Sequence, residues 1–150
     1  MSDPTLLVRK FLLQDAALLA LCPGGAPTIA GSSPDLPSHI VGGELPKYAD
    51  PNAYAPFVTI SCEGGTSHPE APISADRVKI RVWAGINDYP TARQVYGEIS
   101  NWLNRKNLID LAPDGFIIIS QETVGAQDLT DPDTGWATLV VFYQITNRDS

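Results

Sequence analysis

The sequence has none of the short motifs that mark the common catalytic and nucleotide-binding sites. It contains no GxSxG, Walker A, GxGxxG or HExxH pattern. Its apolar runs fall well short of the roughly 20 residues that span a bilayer, and its N-terminus does not combine a basic start with an apolar stretch. We therefore expect no enzyme activity, no cofactor, no export signal and no contact with a membrane.

Cysteine and histidine are equally scarce. The two cysteines, Cys22 and Cys62, do not form a CxxC pair, so we expect both to be free thiols in a reducing compartment. The two histidines, His39 and His68, lie in loop-like sequence. No pair among these four residues has the spacing of zinc ligands, and we expect no metal site.

Charged residues are also few, at 18%, and acids outnumber bases to give a net charge of −7 and a pI of about 4.6. This balance disfavours general nucleic-acid binding and anionic membrane surfaces, both of which require a basic surface. An acidic wall can nevertheless suit DNA that must slide past without sticking. The 13 prolines and 12 glycines favour either a loop-rich monomer or long loops that partners cover.

A length of 150 residues with 43% apolar content is sufficient for one domain, residues 1–150, with its own core. Its most regular stretch is a predicted helix over residues 91–106. Asp88 suits the N-cap and Pro90 the first turn. The apolar positions have helical spacing: Ala92, Val95, Tyr96, Ile99, Trp102 and Leu103.

An earlier helix is predicted from Asp3 and Pro4 to the Pro-Gly-Gly sequence at residues 23–25. The segment 23–56 that follows is rich in proline, glycine and serine, with a short apolar break at Ile40 and Val41 that could form a small strand. This segment is either a surface meander or an arm that docks on a neighbour.

Four strands are predicted, over residues 57–63, 76–83, 116–124 and 136–145. The element order predicts an α+β fold, a mostly antiparallel four-stranded sheet with two helices packed on one face and a long Pro/Gly-rich loop after the first helix. A crossover around the central helix could make one strand pair parallel.

Three cations alternate along the second predicted strand: Arg77, Lys79 and Arg81. We name them the basic stripe. Such a stripe is usually a solvated face paired with acids across the sheet, and Glu63 and Glu122 are the candidate partners. Alternatively, it lies at a contact between subunits.

Acidic residues concentrate in the predicted hairpin loop 125–135, at Asp128, Asp131 and Asp133. No glutamate closes this loop as calcium binding would require, so a solvated turn is favoured. With the basic stripe and the loop around His68 and Glu70, these acids are our candidate interface residues.

Several stretches together resemble the tail-terminator family of long-tailed bacteriophages, also described as tail completion, minor tail or head–tail joining proteins. They lie at residues 11–21, 55–60, 78–84, 92–103 and 135–143, and so cover nearly the whole chain. The long 23–56 segment departs from the family pattern.

The resemblance implies a structural virion protein of the tail or neck, assembled in the host cytoplasm as a hexameric ring. Such a ring caps the tail tube, stops its polymerisation and joins the tail to the head connector or stopper protein. DNA passes through the hole without specific binding. The alternatives are a head-completion or stopper protein of the neck or, in another class, a small cytosolic binding module or enzyme with an unrecognised site.

Overall fold

The computed structural model describes residues 4–22, 40–42, 56–67, 73–111, 113, 115–132 and 135–148. These residues form the helices α1 (Pro4–Leu12), α2 (Ala16–Leu21) and α3 (Tyr89–Leu103). They also form the strands β1 (Ile40–Gly42), β2 (Phe57–Ser67), β3 (Ile73–Ile86), β4 (Lys106–Asp110), β5 (Phe116–Thr130) and β6 (Trp136–Arg148).

The strands make one six-stranded sheet in the order β1-β2-β3-β6-β5-β4. Every neighbouring pair from β2 to β4 is antiparallel, whereas β1 runs parallel to β2. The predicted α+β class and mostly antiparallel sheet are therefore confirmed. The prediction of four strands is wrong, because two short edge strands, β1 and β4, extend the sheet.

The helices cover one face of the sheet. Helix α1 contacts β1, β2, β3 and α3, and α3 contacts β3, β5 and β6. On the covered face, Val78, Ile80 and Val82 of β3 are fully buried, as are Val141 and Tyr143 of β6. They join helix side chains in one core cluster. Alternation along β3 therefore sends the basic stripe to the opposite face, which no described helix covers.

The first predicted helix is divided in two. Helix α1 begins at Pro4 as predicted, but it ends at Leu12, and α2 begins only after Asp15. The Asp15 carboxylate accepts a hydrogen bond from the Ala17 N–H at 3.1 Å, which caps α2. Asp15, which the sequence analysis placed inside a single helix, is thus the N-cap of a second helix.

Helix α3 matches the predicted central helix but is displaced toward the N-terminus, at Tyr89–Leu103. Asp88 is the N-cap, as predicted, and accepts from the Thr91 N–H at 3.4 Å. The helix ends at Leu103 because Asn104 is extended and Arg105 has a φ of +59°. Lys106, predicted as helical, begins β4 instead.

The acidic loop 125–135 is shorter than predicted. Strand β5 continues to Thr130, so Asp128 belongs to the strand, and only residues 131–135 connect it to β6. The Gly135 N–H donates to the Asp131 carbonyl at 2.8 Å, and Gly135 adopts a φ of +76° that favours glycine. The result is a long β5–β6 hairpin with one end beside α3.

Candidate functional site

The basic stripe is largely neutralised within the chain. Lys79 Nζ lies 3.1 Å from Glu63 Oε1, so the predicted pairing with Glu63 is confirmed. The Arg77 guanidinium lies over the Phe142 ring at 4.1 Å from its centroid, which is a cation–π geometry. The stripe is therefore a set of paired side chains, of which Arg77 is the most exposed.

Arg81 is the most enclosed member of the stripe. Its guanidinium lies over the Trp83 ring at 4.2 Å, and its Nη2 lies 3.9 Å from Asp131 and 3.4 Å from the Thr138 hydroxyl. Its Nε is buried without a hydrogen-bond partner. A side chain held in this way contributes to the fold of the hairpin, and little of it is available to another molecule.

Glu122 does not pair with the stripe, and that prediction is wrong. The register places Glu122 opposite Tyr143, whose side chain faces the helices. Glu122 Oε1 accepts a hydrogen bond from the Tyr96 hydroxyl at 2.6 Å. Burial, and then this hydrogen bond, raise the pKa of Tyr96.

The predicted acidic cluster is also divided between partners. Asp128 pairs with Arg93 of α3, and the hydrogen bond and attraction of its carboxylate raise the pKa of Arg93. Asp131 lies on the other side, near Arg81. Asp133, like His68 and Glu70, lies outside the described residues. Asp128 and Asp131 therefore fix the β5–β6 hairpin against α3 and β3.

A cleft of about 550 Å³ opens on the uncovered face of the sheet. It crosses four strands, with Glu63 on β2, Arg77 on β3, Gln144 on β6 and Thr123 on β5 along its walls. With Asp76, which also lines the cleft, two acids, one base, an amide and a hydroxyl can bind polar groups. They do not form the hydrogen-bonded nucleophile and base that covalent catalysis needs.

The two cysteines are the remaining reactive side chains in the described ranges, and they lie in different environments. Cys22 is buried, and burial raises its pKa to about 12, whereas Cys62 is an exposed free thiol. Among the described residues, no group of three or more histidine, cysteine, aspartate or glutamate side chains is placed to hold a metal ion. None of the helices in the described ranges combines the length and apolarity needed to cross a membrane.

Three sheet edges have no strand beside them in the described part of the chain. They are the outer edge of β4, the outer edge of the three-residue strand β1, and β2 beyond Ile60, because β1 pairs only with residues 58–60. The outer edge of β5 beyond Ser120 is covered differently. There, side chains of α3 and the cap residue Asn104 contact β5, and Asn104 Oδ1 accepts from the Glu122 N–H at 3.0 Å.

The β4 edge carries the most exposed of the large apolar side chains among the described residues. Leu108 is 77% exposed and has a φ of +53°, a conformation that leucine rarely adopts. Ile119 of the adjacent strand is 37% exposed. The sequence did not indicate these residues, because the stretch Asn107–Leu108–Ile109 shows no alternation that separates a buried from an exposed position.

Comparison with solved structures finds the same fold in a virion. One chain of a structure described as "Virion of native gene transfer agent (GTA) particle" superposes with a TM-score of 0.63 at 13% sequence identity. The match covers 97% of this chain and 94% of that chain. No protein-family model and no curated protein matches the sequence. Over nearly its whole length, this chain therefore shares the fold of a chain in a gene transfer agent virion.

Proposed function

We propose that this protein is a structural subunit of a phage-type virion that acts in the tail or neck. In this proposal six copies close into a ring, the ring caps the tail tube and ends its polymerisation, and it then joins the tail to the head connector. DNA passes through the hole without specific binding. The protein is assembled in the host cytoplasm and performs no catalysis.

The observation that carries the proposal is the fold match in the virion, because it covers almost all of both chains. A shared fold alone does not determine a function. Here it agrees with the independent resemblance of five sequence stretches to tail-terminator proteins.

A second support is that the outer edge of β4 and the part of β2 beyond β1 belong to different strands on opposite sides of the described sheet. Contacts between unlike surfaces are head-to-tail, and they generate a ring when the rotation closes. A closed ring can present one face that matches the tube and another that does not template further tube subunits. This is how a subunit without enzymatic activity would stop polymerisation.

The test is to measure the assembly mass of the purified protein, alone and with tail tubes, and to image both samples by negative stain. We expect rings with an open centre, and tubes that no longer elongate after a ring has bound. A protein that forms no ring in solution or on tubes, and that leaves elongation unchanged, would contradict the proposal.

A head-completion or stopper protein of the neck is the second candidate, since the fold match does not distinguish positions within a virion. Binding to the connector with no effect on tube elongation would favour it. A small binding module or enzyme is the candidate from another class, and the open cleft would be its site. Turnover, or a ligand retained through purification by a monomeric protein, would favour that class.

A further inference from the structure

We infer that neighbouring subunits join edge to edge, with β4 of one copy lying parallel to the second half of β2 of the next copy. This inference rests on the proposed ring, and it names the contact that would close it. The occupant of each of these two edges is therefore a second copy of this chain. The contact would extend the hydrogen-bonded sheet from one subunit into the next.

The sheet register places β4 and residues 65–67 of β2, two edges without a neighbouring strand among the described residues, at the same level. Gly65, Asp76, Ile145, Ser120 and Lys106 are successive partners across five strands, so they form one row from β2 to β4. A second row, one step along the strands, runs from Thr66 through Ala75, Thr146 and Ile119 to Asn107, and a third joins Ser67 to Ile109. A second copy displaced along these rows therefore brings β4 beside residues 65–67.

The strand directions agree with this contact. Four antiparallel steps separate β2 from β4, so the two strands run in the same direction. Their contact between copies would be parallel, which is an ordinary sheet pairing. It also joins unlike strands, as a ring requires, whereas β4 against β4 would give only a two-fold dimer.

The side chains at the β4 edge indicate a covered surface. Proteins protect exposed edges with charged residues, short strands, prolines or bulges, and β4 is short and carries Lys106 and Asp110. Between these charges, Leu108 is 77% exposed and is omitted from the β4–β5 pairing. Leu108 and the adjacent Ile119 thus place exposed apolar surface at this edge, which a second copy would cover.

The opposing edge complements β4 in size and charge. In sequence, residues 64–67 of this edge are Gly-Gly-Thr-Ser, all small residues. Glu63, which pairs with Lys79 in its own subunit, keeps a side chain that is 40% exposed at the start of this segment. Arg105 precedes Lys106, so it would lie at the level of residues 63 and 64 of the next copy. Opposite charges would therefore meet across the contact.

The first test replaces Leu108 with asparagine. Asparagine tolerates the left-handed conformation at this position, so the variant keeps the fold and loses only the apolar side chain. We expect at least about a tenfold rise in the protein concentration needed for half-maximal ring formation. Leu108→Met retains apolar surface and should assemble like the wild type. Rings of Leu108→Asn at wild-type concentrations would overturn the inference.

The second test is a disulfide cross-link between copies. Thr66 and Asn107 share a row, and adjacent positions on paired strands fall within the Cα separation that a disulfide spans. A chain with Thr66→Cys, Asn107→Cys and Cys62→Ser should give a ladder of covalent oligomers up to the closed ring on mild oxidation. The matched control pairs Asn107→Cys with Gln94→Cys, on the exposed side of α3, and should remain monomeric under denaturing conditions.

The outcomes separate this inference from the proposed function. If the wild-type protein forms rings but the Thr66–Asn107 pair does not cross-link, the edge contact is wrong and the ring stands. Covalent dimers from Asn107→Cys alone would indicate β4 pairing with β4 and would also overturn the contact. If neither the protein alone nor the protein on tubes forms rings, the proposed function fails, whatever cross-links appear.

Discussion

Trp102 of α3 stacks on Phe11 of α1, with ring centroids 5.2 Å apart and an angle of 20° between the rings. The same indole N–H donates to the Phe11 carbonyl at 2.8 Å. One side chain thus joins the two longer helices by an aromatic contact and a polar contact together. Trp102 is half-buried, and substitutions can remove either the hydrogen bond alone or the hydrogen bond and the stacking together.

Trp102→Phe should retain the stacking and lose the hydrogen bond. We expect the free energy of unfolding to fall by about 1 kcal/mol, because the Phe11 carbonyl still accepts from the Gln14 N–H. Trp102→Ala should lower it by about 3 kcal/mol, since the stacked surface is lost as well. Urea unfolding measures both, and Asn101→Ala, on the exposed side of the same helix, is the control. Equal losses for the two Trp102 variants would show that stacking contributes nothing.

Leu108→Asn should raise the free energy of unfolding of the isolated subunit, whereas the Trp102 substitutions should lower it. Leucine at a φ of +53° is strained by about 1 kcal/mol, and asparagine adopts this conformation more readily. We expect a gain of about 0.5–1 kcal/mol in thermal or urea unfolding at concentrations too low for assembly. Asn107→Ala, on the same strand, should show no such gain. A loss of stability in Leu108→Asn would mean that the leucine side chain packs within its own subunit.

Cys22 should make the protein less stable as the pH rises above 8.5. Burial raises the pKa of this thiol to about 12, whereas an unfolded cysteine ionises near 8.5. Between these values the unfolded chain releases a proton that the folded chain retains. The free energy of unfolding should therefore fall by up to about 1.4 kcal/mol per pH unit. The matched variant Cys22→Ala should lack this share of the slope, and parallel slopes in the two proteins would contradict the prediction.

Charge reversal should lower the free energy of unfolding more at Arg81 than at Arg77, although both belong to the basic stripe. Arg81→Glu places a carboxylate beside Asp131 within an enclosed site, so we expect a loss of about 2–3 kcal/mol in the free energy of unfolding. Arg77→Glu loses only an exposed cation–π contact, worth about 0.5–1 kcal/mol. Arg77→Glu is therefore the cleaner test of whether the open face contacts another molecule. Unchanged ring assembly by this variant would remove the stripe from the set of candidate interface residues.

Regular and long elements were predictable from the sequence for a physical reason. The spacing of Val95, Ile99 and Leu103 gives α3 one buried side, and the alternation of residues around Ile80 gives β3 one buried face. Burial of these apolar side chains therefore selects a helix in the first stretch and a strand in the second. Strand β4 was not predictable, because its five residues are held in the sheet by pairing with β5 and not by burial of one face. The helix break at Asp15 was missed because a cap and an interior polar residue look alike in a periodic pattern.

The partners of the charged residues were predictable only within one hairpin of adjacent strands. Glu63 and Lys79 lie on β2 and β3, which follow each other in the chain, and their pairing agreed with the prediction. Glu122 lies on β5, where three register shifts change which residues share a face. No feature of the sequence marks those shifts.

The β5–β6 hairpin turn lies at one end of the sheet, and the end of β2 at Ser67 lies at the other. The paired rows that reach β4 all lie toward this second end. Copies joined through those rows would present their hairpin turns on one rim and the ends of β2 on the other. Such an assembly has an intrinsic direction. Its two rims would meet different neighbours, and a stack of identical rings would bring unlike surfaces together at every interface.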